Sequence, residues 1–151
     1  NRAFRAGKEE TMKQVEVAAA LFSDGGQIML CRRARDKARG GLWELPGGKL
    51  EAGEDGAQAL RRECGEELDV LPEIGALVAE TTFSYPELTV HLMVYAARLG
   101  GQTPRLVEHS ALCWCTIAQA LEMELCPADR VILTQLPEGS RAGRDRAEKT
   151  E

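Results

Sequence analysis

The sequence predicts a mixed α/β (α+β) fold, a mixed sheet sandwiched by helices, and three observations predict it. Runs of β-compatible apolar residues stand both before and after one central amphipathic segment. A second helical signal, Pro127-Ala128-Asp129 leading into apolar residues, stands near the end of the chain. At 151 residues without an internal repeat, there is enough chain for one domain with a real core.

Taken in order, residues 1–13 are polar, charged and without period. Met12 is a candidate initiator, and disorder or loose packing is expected there. Val15 to Phe22 and Gln27 to Cys31 are strand-like runs around Ser23-Asp24-Gly25-Gly26, which reads as a hairpin. Arg32-Arg33 and Arg35-Asp36-Lys37-Ala38-Arg39 form a basic stretch, either a solvated loop or a clamp for a polyanion. Leu42 to Pro46 reads as a short strand feeding Gly47-Gly48. Asp55, with Gln58 three residues on, makes a capping box, so a helix is expected over about 56–68. Its core face is Ala57, Leu60, Cys64 and Leu68.

Ile74 to Glu80, Thr81 to Tyr85 and Leu88 to Leu99 read as three further strands, with Pro86 in a turn. Val90, Leu92 and Val94 alternate with His91, Met93 and Tyr95. Both sets are largely apolar, which predicts burial on both faces, with His91 a satisfied core or pocket-edge residue. Ala111 to Thr116 is a strand on which Cys113 and Cys115 share a face as buried thiols. Ile117 to Leu121 suggests a short helix, and Pro127-Ala128-Asp129 caps a final one through about Leu136, Asp129 being the cap. The charged tail from Pro137 is expected to be disordered, leaving residues 14–136 as the domain.

Composition narrows the function classes. Nineteen basic against 24 acidic residues give a net charge of −5, which argues against general binding to nucleic acid or an anionic membrane. No apolar run approaches a membrane span. Five cysteines, an odd number without zinc-ribbon spacing, fit a reduced, cytoplasmic chain. A monomer or homodimer is expected.

The chemistry concentrates in residues 47–70. Glu63, Glu66 and Glu67 fall within an arc of roughly 100° on the expected helix, and like charges so close need neutralising. A solvated acidic face is the plain alternative. Glycines before the helix let backbone carbonyls approach a bound group, and oxygen-only ligands of high charge suit Mg²⁺ or Mn²⁺. Gly48, five residues, Glu54, seven residues, then Arg62-Glu63-Cys64-Gly65-Glu66-Glu67-Leu68-Asp69-Val70 resembles the Nudix hydrolase box, G-x5-E-x7-R-E-U-x-E-E-x-G-U with U a bulky apolar residue. Cys64 departs from the usual larger aliphatic, and Asp69 replaces the closing glycine. At Asp69 a left-handed helix end is tolerable at about 1 kcal/mol or less.

The resemblance implies an α/β/α Nudix sandwich over roughly residues 14–136 and a metal-dependent pyrophosphohydrolase of small nucleotides. It implies Mg²⁺ (Mn²⁺ can substitute) held by Glu63, Glu66, Glu67 and the carbonyl of Gly48, with Glu54 and Arg62 orienting the ligands. Glu66, Glu67 and Glu108 are the carboxylates expected to serve the chemistry. Arg33 and Lys49 are candidate phosphate contacts, each with the alternative of an ordinary surface charge. Glu108-His109, Trp114-Cys115 and Leu125 to Asp129 are similar to the MutT-type subgroup, which acts on CTP-like or oxidised nucleotides in nucleotide-pool sanitation. There a loop carboxylate at the Glu108 position binds metal or serves as base, and the polar residue at the Asp129 position reaches the nucleobase. Phe83, Tyr85 and Leu45 are either core or the lining of a base pocket. Hydrolysis of ADP-ribose or another diphosphate-linked compound is the alternative activity, and a non-catalytic nucleotide-binding module the alternative class.

Overall fold

In a computed structural model, which describes residues 13–136, the chain runs β1 (Gln14–Asp24), β2 (Gln27–Arg32), β3 (Trp43–Glu44), β4 (Gly47–Lys49) and α1 (Gly56–Leu68). It continues through β5 (Glu73–Ser84), β6 (Thr89–Arg98), β7 (Ala111–Cys115), α2 (Ile117–Ala120) and α3 (Pro127–Gln135). Of the residues expected to be disordered, 1–13 and 137–151, all but Lys13 lie outside the described ones, and the Lys13 carbonyl accepts from Thr89 N at 2.7 Å. Seven strands form one sheet in the order β3-β2-β1-β6-β5, with β4 added on β1 and β7 on β2. β1 runs parallel to β6, from Gln14 opposite Thr89 to Phe22 opposite Ala97. The other pairings are antiparallel, so the sheet is mixed as expected.

The period-2 pleat of β1 explains the two-sided core. Ala19 faces one cluster with Leu45, Tyr85, Leu92, Ile132 and Leu133, which belongs to α3. Ala18, Ala20 and Phe22 face the other with Ala59, Leu60, Cys64 and Leu68 of α1. Burying each of those leucines is worth about 1.5–3 kcal/mol. α1 begins at the expected residue, because Asp55 accepts from Gln58 N at 2.8 Å while Gln58 Oε1 accepts from Asp55 N at 2.8 Å. It ends at Asp69, which adopts the left-handed conformation (φ 58°).

Several elements differ from expectation. The segments expected as two strands, Ile74 to Glu80 and Thr81 to Tyr85, form one strand, Glu73–Ser84, with Tyr85 just beyond it and register irregularities between Ile74 and Ala79 absorbing the change of pattern. In β6 the Val90–Leu92–Val94 face is buried, while on the other face Ala97 is buried and His91, Met93 and Tyr95 are half-covered. The buried face of α1 includes Gly56 and Ala59, whereas Ala57 is half-buried. A side chain on Gly56 would strike the Tyr95 ring, so the helix starts tight against β6. Gly47 to Lys49, expected as loop, pairs antiparallel with Val17 to Ala19. A Cβ on Gly47 would meet the carbonyl of Ala18, so this close approach demands glycine. Among the described residues no helix is long and apolar enough to cross a membrane.

Candidate active site

β4 and α1 build the acidic half of the site. A Cβ on Gly48 would overlap the Glu63 carboxyl group, so the missing side chain is what lets this carboxylate lie against the strand. Arg62 organises the surroundings. Its Nε and Nη2 donate to both oxygens of Glu54 (2.7 and 2.9 Å), Nη2 also to the carbonyl of Lys49 (2.9 Å), and Nη1 to Glu63 (3.0 Å). Glu54 in turn accepts from Glu51 N at 2.8 Å. Hydrogen bonds from Arg62, and then from the Glu51 backbone, hold the Glu54 carboxyl down at about 2. Glu54 and Arg62 are thus a bracket behind the acidic cluster that fixes β4, its following loop and α1 together.

Glu63 and Glu67 line a cavity of about 200 Å³ with Glu44, Glu108, His109, Arg33, Lys37, Gly47 and Gly48. Burial pushes Glu67 up to about 9, and the neighbouring Glu63 adds to the shift, followed by Glu44 and Glu108. Its Oε1 is buried without a hydrogen-bond partner. Glu66 stands apart from this cavity: its side chain is 59% exposed and lies 3.6 Å from Arg62. Glu108 is exposed at the cavity's edge.

Glu44 and His109, to which no role was assigned on sequence, sit at the centre. Glu44 accepts from Arg33 Nη1 at 3.0 Å and bonds His109 Nε2 at 2.9 Å, while His109 Nδ1 is buried without a partner. The available signal was position: Glu44 is the one charged residue in the short strand beside Gly47-Gly48.

A second cavity, about 170 Å³, adjoins the first, and Arg33, Glu44, Gly47 and Gly48 line both. Its walls are mostly apolar (Val17, Leu45, Val90 and Leu92), with Tyr85, Arg39, Lys49 and Asp129 as polar members. Tyr85 is fixed by Ala128 N, which donates to its hydroxyl at 3.0 Å. Phe83 backs the Tyr85 ring at 4.9 Å between centroids but is absent from the cavity wall. Lys49 is exposed on the rim. The expectation that Asp129 caps the final helix is overturned. Cys126 holds the cap position without a side-chain bond, and Asp129 lies in the first turn, buried, accepting from Leu45 N at 2.9 Å. Proline fits the first helical position, which shifts the cap one residue before Pro127. Burial, then Glu44, push the Asp129 carboxyl up to about 8, although the Leu45 amide opposes the shift.

The acidic cavity has the chemistry of a hard-cation site: oxygen donors, an orphaned Glu67 oxygen, and a glycine strand that a Cβ would close. As the side chains stand, no three His, Cys, Asp or Glu residues among the described ones converge for ligation, and Glu66 would have to turn inward. Glu63, Glu67 and the Gly48 backbone fit such an ion without rearrangement of the fold.

Comparison with known proteins agrees with this arrangement. A sequence profile of the NUDIX domain matches residues 12–136. The CTP pyrophosphohydrolase of Escherichia coli K12 is 38% identical over 122 residues, covering 81% of this chain and 90% of that protein. The 8-oxo-dGTP diphosphatase of the same organism is 25% identical over 126 residues, 83% of this chain and 98% of its own. Among solved structures, the E. coli ORF135 protein superposes with a TM-score of 0.71 at 36% identity, over 83% of this chain and 89% of that one. The MutT Nudix hydrolase of Burkholderia pseudomallei gives 0.71 at 29%, over 83% and 99%. With Gly48, Glu63 and Glu67 of the box lining one acidic cavity, Glu54 and Arg62 bracing it, and a profile spanning the described fold, the chain belongs to the Nudix family of hydrolases.

Proposed function

We propose that residues 14–136 act as a unit that hydrolyses a nucleoside triphosphate to the monophosphate and pyrophosphate. The observation that carries this reading is the pair of adjoining cavities, one acidic and one apolar with polar groups at its depth, which meet at Arg33, Glu44, Gly47 and Gly48. A base fits the apolar cavity and a polyphosphate the acidic one, with the junction beneath the sugar and first phosphate. The names of the relatives, a CTP pyrophosphohydrolase and an 8-oxo-dGTP diphosphatase, support a triphosphate over a diphosphate-linked substrate.

The residues divide the work. Glu63, Glu67 and the Gly48 carbonyl hold Mg²⁺, with Mn²⁺ able to substitute and Glu66 joining on rotation. When bound, the ion neutralises phosphate charge and lowers the pKa of a water. Arg62, clamped on Glu54, keeps Glu63 in place. Arg33, held by Glu44 and the carbonyl of Ala38, presents its remaining charge to a phosphate, and Lys37 and Lys49 extend that surface. Glu67 and Glu108, which line the acidic cavity, are the carboxylates that would take the proton of an attacking water. Asp129 and Tyr85 position the base, Asp129 accepting from an amino group when ionised and donating when protonated. All five cysteines are free, in keeping with a cytoplasmic nucleotide-pool enzyme.

The test is a product-resolved assay with Mg²⁺ across canonical, oxidised and methylated triphosphates, with ADP-ribose alongside. Monophosphate and pyrophosphate from a triphosphate are expected, with chelation abolishing turnover. Glu63→Gln and Glu67→Gln should each cut kcat by about 100-fold or more. Turnover of ADP-ribose alone, or full activity in both variants, would overturn the reading.

A further inference from the structure

The loop between β2 and β3 carries an arginine that the mechanism above does not use. Arg39 lines the apolar cavity, its guanidinium 3.9 Å from the centre of the Tyr85 ring. Nη1 donates to Glu87 at 2.8 Å, on the turn between β5 and β6. The backbone behind it is equally constrained. Arg39 adopts a left-handed φ of 56°, which a non-glycine residue rarely takes. Gly41 N donates to Arg33 O and Arg33 N to Leu42 O, both at 2.9 Å. A Cβ on Gly40 would strike the carbonyl of Arg35, so the loop is wound tightly on itself.

The side chain is therefore held flat from two sides while most of its donors stay unspent. Among the described residues Nε and Nη2 of Arg39 have no acceptor. The other guanidinium at the cavity, Arg33, already commits Nε to Ala38 O and Nη1 to Glu44. The acidic groups at the cavity's depth, Glu44 and Asp129, suit the amino groups of a base. A carbonyl on the base needs a donor, and among the cavity's charged donors Arg39 is the one held from two sides with N–H groups to spare. Cation–π contact with Tyr85 fixes the plane of the fork, and a preorganised charged donor loses little freedom on binding.

We propose that Arg39 is a specificity-determining residue that donates to a carbonyl oxygen of the substrate's base, so that the site favours keto bases over analogues lacking that oxygen. This rests on the nucleotide reading of the cavity. The ligand class it names is a base carrying both an amino group and a carbonyl, as cytosine, guanine and oxidised guanine do.

The test compares substrates that differ only at the carbonyl: dGTP against the 2-aminopurine deoxyribonucleoside triphosphate, and CTP against 2-thio-CTP. Wild-type protein should prefer the carbonyl member, measured as kcat/KM. Arg39→Ala should lower kcat/KM for the carbonyl members by roughly 10- to 100-fold, chiefly through KM, and leave the analogues nearly unchanged. Arg39→Lys should recover part of the preference, and Glu87→Gln, which keeps the guanidinium but removes its anchor, should fall between. An equal loss on both members of each pair would make Arg39 a purely structural latch and overturn the proposal, as would no change in either. A wild-type protein inert toward every triphosphate would instead bring down the nucleotide reading, and this assignment with it.

Discussion

At the scale of single residues, Glu67 concentrates the tension between stability and function. Its carboxyl is raised from 4.5 to about 9, by burial first and by Glu63 second. An acid with a raised folded pKa binds its proton more tightly in the folded state. Its penalty is absent below about pH 4.5 and grows as pH rises toward 9. Glu67→Gln should therefore raise the Tm of metal-free protein by roughly 5 °C at pH 8 and by almost nothing near pH 4.5. Added Mg²⁺ should narrow the gap by stabilising only the glutamate form. Thermal melts in EDTA from pH 4.5 to 8.5 check this, and a Tm difference that stays constant across the range would refute it. Helical spacing put Glu63, Glu66 and Glu67 on one arc, and of these Glu63 and Glu67 share the acidic cavity while the Glu66 side chain stands exposed beside Arg62. Glu44, His109 and Arg39 were not legible. Each is held in place by a partner far away in sequence, Glu44 by His109 and Arg39 by Tyr85 and Glu87, and no local spacing encodes those contacts.

At the scale of elements, α1 was readable to the residue because its ends are local chemistry. The capping box involves only Asp55 and Gln58, and the exit only the backbone around Asp69. Strand β4 was hidden for the opposite reason. Glycine has poor strand propensity, yet Gly47 pairs here because any side chain on it would strike the backbone of Ala18 and Ala19. Asp129 misled because a good capping residue two positions after Pro127 lies inside the first turn, where its carboxylate is used to hold Leu45. The helix exit offers a clean measurement. Asp69 bears a left-handed strain that glycine lacks, partly offset by exposed contacts to Arg105 at 3.2 and 3.3 Å. Asp69→Gly should stabilise the protein by roughly 0.5 kcal/mol, the strain relief less the lost surface pair, and leave kcat unchanged. Urea titrations with an unchanged m-value would establish this. A loss of stability would mean the Arg105 contact outweighs the strain.

At the scale of the whole molecule, the parallel pairing of β1 with β6 joins segments 75 residues apart, as Glu16 opposite His91 illustrates. The sequence supplied strand-like segments and a sandwich, but not which strands lie side by side, since that is decided by non-local packing. His91 marks the joint. On β6, it bonds Glu16 of β1 at 2.5 Å and Glu80 of β5 at 2.8 Å, tying three neighbouring strands on the half-covered side of the sheet. The two carboxylates, Glu16 first, raise the His91 pKa above 6.5, and His91 lowers that of Glu16 below 4.5. For the imidazole, the stabilisation is complete below about pH 6.5 and disappears as pH climbs through the raised folded value. For Glu16 it is present above about pH 4.5 and disappears as pH falls through the lowered one. The two windows overlap between roughly pH 4.5 and 6.5, where the joint contributes most. His91→Gln should cost about 0.5–1 kcal/mol at pH 5.5 in low salt, because the carboxylates are about half exposed and partly screened. The deficit should shrink as pH climbs through the raised folded value, and in high salt. A deficit that instead grows with pH would mean that His91 stabilises the sheet as a neutral packing group, and that the cross-strand joint owes nothing to charge.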